Sequence, residues 1–160
     1  MTTGATASAD AWNTLGIALA QRGDRGKARQ ALDTAVAMAP AAARFRFNRA
    51  LLRLEDGDRR GAIADASGAV ELTPGVADAW RLLATLHHEA GQHDAAIVAW
   101  QRVLQLQPGD ADSLFNLAST LDAAGRRSDA REAAARYLEI MPPPGAARDA
   151  AAMRALAAPR

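Results

Sequence analysis

The chain has 160 residues, enough for one ordinary domain and too few for two sizeable cores. Its composition is 49% hydrophobic but only 4% aromatic and rich in alanine, which favours close helix-to-helix packing over a sheet core. Nineteen basic against eighteen acidic residues leave a formal net charge of +1, without the concentrated positive field that nucleic-acid binding needs, and with no cysteine the chain has no disulfide or thiolate chemistry.

The opening MTTGATASAD has neither a basic start nor an apolar run, so residues 1–8 read as a disordered segment rather than a signal peptide. No stretch approaches the roughly 18 consecutive apolar residues of a membrane span, so the expectation is a soluble, cytoplasmic chain with no membrane partner. From residue 9, ADAWNTLGIALAQRGD places Trp12, Leu15 and Leu19 on one helical stripe that ends at Gly23. A second helix carries Ala28, Leu32, Ala35 and Val36 and stops near Pro40, because proline cannot continue it without losing a hydrogen bond.

The next helix, ARFRFNRALLRLEDGD, is unusual. Arg46, Arg49 and Arg53 form a basic stripe where the preceding helix has Trp12, Leu15 and Leu19. Phe45 and Leu52 are then expected to carry the burial, the arginine stems to cover apolar surface, and Asp56 to cap or pair. The stripe reads as salt bridges between helix pairs, with an anion or phosphate site as the alternative. Further on, Trp80, Leu83 and Ala84 precede Gly91, and Ala96, Ile97, Trp100 and Val103 precede Pro108. His87, His88 and His93 fall between these helices. Adjacent helical residues point about 100° apart, so His87 and His88 are not a chelating pair and no metal site is expected. His87 takes the location of Leu19 and Leu121 and reads as packed. The last pair carries Leu114, Leu117, Leu121 and Ala130. After Pro142, Pro143 and Pro144, the run GAARDAAAMRALAAPR suits a terminal capping helix with Met153 and Leu156 inward; a frayed tail is the alternative.

These segments are copies of one unit. Gly23, Gly57, Gly91 and Gly125 are 34 residues apart, as are Pro40, Pro74, Pro108 and Pro142, and Ala28, Ala62, Ala96 and Ala130. Three residue classes holding one spacing through four units define a repeat of helix pairs, and one such pair cannot bury both of its apolar sides, so neighbouring pairs stack. Trp12, Leu15, Gly16, Leu19, Ala28, Leu32, Ala35 and Pro40, with their counterparts in the later units, resemble the tetratricopeptide repeat family over about residues 9–142. The resemblance implies an all-α, right-handed α-solenoid of antiparallel helix pairs: four repeats at 9–42, 43–76, 77–110 and 111–144 and a capping helix at 145–160.

The family's concave face comes from the first helix of each pair. Carried onto this chain, it gives Asn13, Ile17 and Gln21, then Arg44, Phe47, Asn48 and Leu51, then Arg81, Leu82, Thr85 and His88, then Phe115, Asn116 and Ser119. Phe47, Leu51, Leu82 and Phe115 are the expected apolar anchors, with Asn48, Asn116, Arg44 and Arg81 as polar contacts to a peptide backbone or acidic side chain. Chaperone-binding relatives use a lysine, asparagine and arginine clamp for two carboxylates. Asn48 matches it, but Asn13, Ile17, Asp78 and Leu82 stand at its other positions, so that recognition is not expected. No nucleophile, base and orienting residue recur in order, and LAQRGDRGKA has no phosphate-cradling loop despite Lys27. The expectation is a noncatalytic adaptor or scaffold without cofactor that binds a protein or peptide. The alternatives are self-association through the groove or a terminal face, and an accessory domain of a larger enzyme.

Overall fold

The computed structural model describes residues 3–140 and 147–158, with side chains described for 8–140 and 150–158. The described residues are all-α: α1 Thr3–Gln21, α2 Arg25–Met38, α3 Ala43–Glu55, α4 Arg59–Leu72, α5 Ala77–Glu89, α6 His93–Leu106, α7 Ala111–Ala123, α8 Arg127–Ile140 and α9 Ala147–Ala157. α1 begins at Thr3, within the stretch 1–8 that the sequence leads one to expect as disordered.

Each pair turns on a glycine in the left-handed region, where a Cβ would be strained: Gly23 has φ 84° and Gly57 φ 79°. The amide of Asp24 donates to the Leu19 carbonyl at 2.9 Å and that of Gly23 to Ala20 at 3.0 Å, a pair of bonds that closes the helix and recurs at Gly57, Gly91 and Gly125. α2, α4 and α6 end at Met38, Leu72 and Leu106, just short of Pro40, Pro74 and Pro108. Ala39, Thr73 and Gln107, each directly before a proline, lie at φ −140°, −138° and −136°, since the proline ring disfavours a helical residue before it. The corresponding Pro142, with the rest of the triple proline, lies outside the described residues.

Small side chains set the approach within pairs. A Cβ on Gly16 would meet Leu32 Cγ at 2.7 Å, and Ala50, Ala84 and Ala118 hold the same register in the later pairs, each fully buried. Ala28, Ala62, Ala96 and Ala130 face them from the second helices and are also fully buried.

The chain divides into two compact units, Met1–Ala79 and Trp80–Arg160. In the first, Ala9, Ala35, Val36 and Phe45 form one buried cluster and Ala28, Leu32 and Leu52 another, so Phe45 and Leu52 carry the burial expected of them. The arginine stripe is consumed by this packing. Arg49 makes a two-toothed contact to Asp65 (Nε to Oδ2 and Nη2 to Oδ1, both 2.7 Å) and reaches Asp33 Oδ1 at 2.8 Å. Arg53 Nη1 lies 3.0 Å from Asp65 Oδ2, and Arg46 Nε donates to the Pro40 carbonyl at 3.1 Å. Asp56 accepts from Arg25 at 2.9 Å and Arg29 at 2.7 Å, tying α2 to the end of α3.

In the second unit Leu114, Leu117 and Leu121 of α7 are buried, and α7 packs on α6 and α8. α9 packs on α8 and α7, with Met153 only 3% exposed and Leu156 half-buried. The first-helix stripe of the first pair behaves differently: Trp12 is 40% and Leu15 44% exposed, so they are not core, and only Leu19 is half-buried. No described helix of the chain supplies the cover that the period assigns to them.

Candidate protein-interaction surface

In the first unit the first-helix residues sort onto the two sides of α3. Asn48 Nδ2 donates to Asn13 Oδ1 at 2.8 Å, linking α3 to α1. Asn13 is buried, so it positions Asn48 and offers little surface of its own. Above this bond, Ile17, Asn48 and Leu51 line a cleft of about 250 Å³ that also meets Ala20, Gln21, Leu32, Leu52 and Glu55. Leu51 is 38% exposed at its edge. On the other side, Arg44 and Phe47 line a cleft of about 480 Å³ floored by alanines 41–43, Ala69 and Ala79 and bounded by Thr73 and Val76. Arg44 is ion-paired with Asp10 and lies over the Phe45 ring, 4.7 Å from its centroid.

In the second unit the corresponding residues are more engaged with their own helices. Arg81 pairs with Asp110 at 2.7 Å and donates to Gln107 at 2.9 Å, and Ser113 donates to the same Asp110 carboxylate at 2.7 Å. Burial raises the Asp110 carboxyl, but the bonds from Arg81 and Ser113 outweigh it, and the net position is below the usual carboxylate value of 3.8. Leu82 is buried and belongs to the core instead of standing as the free anchor that the family resemblance implies. Thr85 donates to the Arg81 carbonyl at 3.0 Å and Ser119 to the Phe115 carbonyl at 2.9 Å, satisfying both hydroxyls within their helices. Phe115 is half-buried, its ring 6.0 Å from that of Tyr137 on α8, and Asn116 beside it is half-buried.

The three histidines diverge. His87 Nδ1 is 2.6 Å from Gln92 Oε1, while His88 Nδ1 is 2.9 Å from Thr120 Oγ1 and its ring is 5.9 Å from that of His93. His88 therefore ties α5 to α7. This cross-helix bond is not visible in the sequence, where the family resemblance places position 88 on the groove.

Family models of the tetratricopeptide repeat match residues 13–58 and 47–111, and a second such model matches residues 88–158. The chain belongs to the tetratricopeptide repeat family. No curated protein matches it. Among solved structures it is similar to MamA, with a TM-score of 0.81 and 22% identity over 94% of this chain and 84% of that one. It is also similar to YrrB, a tetratricopeptide-repeat protein described as having an unusual peptide-binding site, with a TM-score of 0.77 and 19% identity over 90% of this chain and 75% of that one. These likenesses establish the shared fold.

Proposed function

We propose that the chain is a noncatalytic protein-interaction module, an adaptor that takes an extended peptide of a partner across the first-helix side of its repeats. The observation that carries this reading is the pair of clefts flanking α3, one entered by Phe47 and the other by Leu51. The two residues are one helical turn apart, which sets their Cβ atoms about 5–6 Å from each other. Alternate side chains of an extended strand, about 6.8 Å apart, fit that spacing. Asn48 lines the cleft that Leu51 enters, and its amide is oriented by the bond it donates to Asn13. It supplies a backbone contact that sets direction, while apolar burial supplies affinity. The first-helix residues of the second unit, Thr85, His88, Phe115, Asn116 and Ser119, serve as a second contact surface. The peptide-binding description of YrrB supports the class of partner.

The test is an array of short peptides in which an apolar residue alternates with variable ones. The wild-type chain is expected to select apolar residues at two alternate positions, and Phe47→Ala or Leu51→Ala each to weaken the selected peptide by about tenfold or more while circular dichroism stays unchanged. A folded Phe47→Ala, Leu51→Ala double variant that binds as well as wild type excludes this surface.

A further inference from the structure

We infer that the outer face of α1 is a self-association surface, on which a second copy of the chain docks α1 against α1 about a two-fold axis. The inference stands apart from the peptide clefts, of which only the one lined by Ile17, Ala20 and Gln21 reaches α1, on its other side.

The repeat period states what this face is built for. Trp12, Leu15 and Leu19 correspond, three periods on, to Leu114, Leu117 and Leu121, which are 0%, 5% and 3% exposed where α7 lies against α6. In α1 the first two are 40% and 44% exposed. A tryptophan and a leucine adjacent on one stripe form the kind of contiguous apolar patch that marks an interaction site, in contrast to single exposed apolar residues scattered elsewhere. The stripe continues through Ser8, Ala11 and Ala18, all small and exposed, and Asp10 turns away from it to pair with Arg44. A helix face with small residues around two large ones allows close approach of another helix.

Two features choose the occupant. The first is charge. From Ser8 to Leu19 the stripe has no charged residue, so it can meet its own image without like-charge repulsion; such self-matching is what a two-fold contact requires. With the axis between Trp12 and Leu15, antiparallel helices set Trp12 of one copy against Leu15 of the other, and Arg22 of each falls beyond the far end of its partner's stripe. The second feature is the other end of the array. Head-to-tail stacking needs a free second-helix face to receive α1, and α8 carries α9 there, with Ala150 and Met153 buried beneath it. Among contacts between copies, closure by a two-fold axis remains.

The experiment is sedimentation equilibrium of the full chain from about 1 to 100 µM, a range that spans weak to moderate dimers. Wild type is expected to pass from monomer to dimer. The double substitution Trp12→Glu, Leu15→Glu is expected to weaken dimerisation by at least about 30-fold, the effect of losing central aromatic and aliphatic anchors, with helix content preserved and melting lowered only by the loss of the dimer. Val98→Glu on α6 serves as the control: Val98 is 62% exposed, more than either residue, and its loss should leave the dimer intact. The chain has no cysteine, so Leu15→Cys adds a lone thiol near the axis that should oxidise to a covalent dimer, whereas Val98→Cys should not. A wild type that stays monomeric at the top of the range overturns the inference and leaves the face to a partner's helix. Assembly beyond a dimer, dissociation by Val98→Glu, or equal cross-linking at Leu15 and Val98 overturns it as well.

Discussion

Arg49 shows how one residue's role depends on the column of the repeat it occupies. Its counterpart two repeats on is Leu117, and the acids it holds, Asp33 and Asp65, correspond to Gln101 and Ala133. In the first unit three acid and arginine side chains fill the space among α2, α3 and α4, and the Asp65 side chain is only 3% exposed. In the second unit the equivalent space among α6, α7 and α8 is a cleft of about 490 Å³ lined by Gln101, Leu117, Leu121 and Ala133. The same columns thus hold a charged network in the first unit and leave an open cleft in the second. A buried carboxylate that keeps its partner is tolerated, and one that loses it is costly. Arg49→Asp, which sets a third carboxylate between two others, is therefore expected to lower unfolding stability by about 3–5 kcal/mol. Arg49→Met should cost less, about 1–3 kcal/mol, because Arg53 still reaches Asp65 at 3.0 Å and the thioether stem covers the same apolar surface. The double change Arg49→Leu, Asp65→Ala, which copies the later repeat, should recover most of the loss. Urea unfolding of the three variants decides it: equal midpoints for Arg49→Asp and Arg49→Met would remove the network from any structural role.

At the scale of the element, the helix pairs were legible and their exposure was not. Glycine, proline and small-residue spacing determine where each helix stops and how closely it approaches its partner, and these are local constraints that a sequence carries openly. Gly57 illustrates the strength of one of them. At φ 79° with no atom near its missing Cβ, it is free of any steric demand except that of its own backbone. Gly57→Ala is expected to cost about 1 kcal/mol in thermal or urea unfolding, entirely from the left-handed conformation. No change, or a gain, would mean that the turn can be rebuilt without that conformation. Exposure depends instead on what lies over an element. Trp12 and Leu114 hold the same register and read alike, yet one is exposed and the other fully buried. The second helix of the preceding pair, α6, packs on α7, and among the described residues α1 has no such neighbour. Leu82 departs in the opposite sense: the family resemblance implies a groove residue, and tight packing takes it into the core. The candidate surface was legible as a set of first-helix positions. The hydrogen bonds that orient it, Asn48 to Asn13 and His88 to Thr120, link residues 35 and 32 positions apart and leave no mark in either local pattern.

At the scale of the whole molecule, one carboxylate in each unit, Asp56 in the first and Asp110 in the second, is held ionised by arginine, and this gives the acid response a specific origin. Asp56 is held below its ordinary value of 3.8 by hydrogen bonds from Arg29 and then Arg25, and Asp110 ends below the same value because the bonds from Arg81 and Ser113 outweigh its burial. In the unfolded chain both carboxyls return to ordinary values and bind protons more readily than in the folded one. The stability they add is therefore complete above the unfolded value and is lost as pH falls through the lower, folded one. The melting temperature is expected to be level at neutral pH and to decline below about pH 4. Asp56→Asn and Asp110→Asn should each lower the neutral plateau and flatten the acid limb, Asp56 acting within the first unit and Asp110 within the second. Combined, they should leave a curve that changes least with acid, since neither neutral amide has a proton to gain. Thermal melts of the wild type and the three variants between about pH 2.5 and 7 test this directly. Acid limbs that run parallel in all four proteins would assign the acid sensitivity to other carboxylates and leave these two pairs without a net contribution.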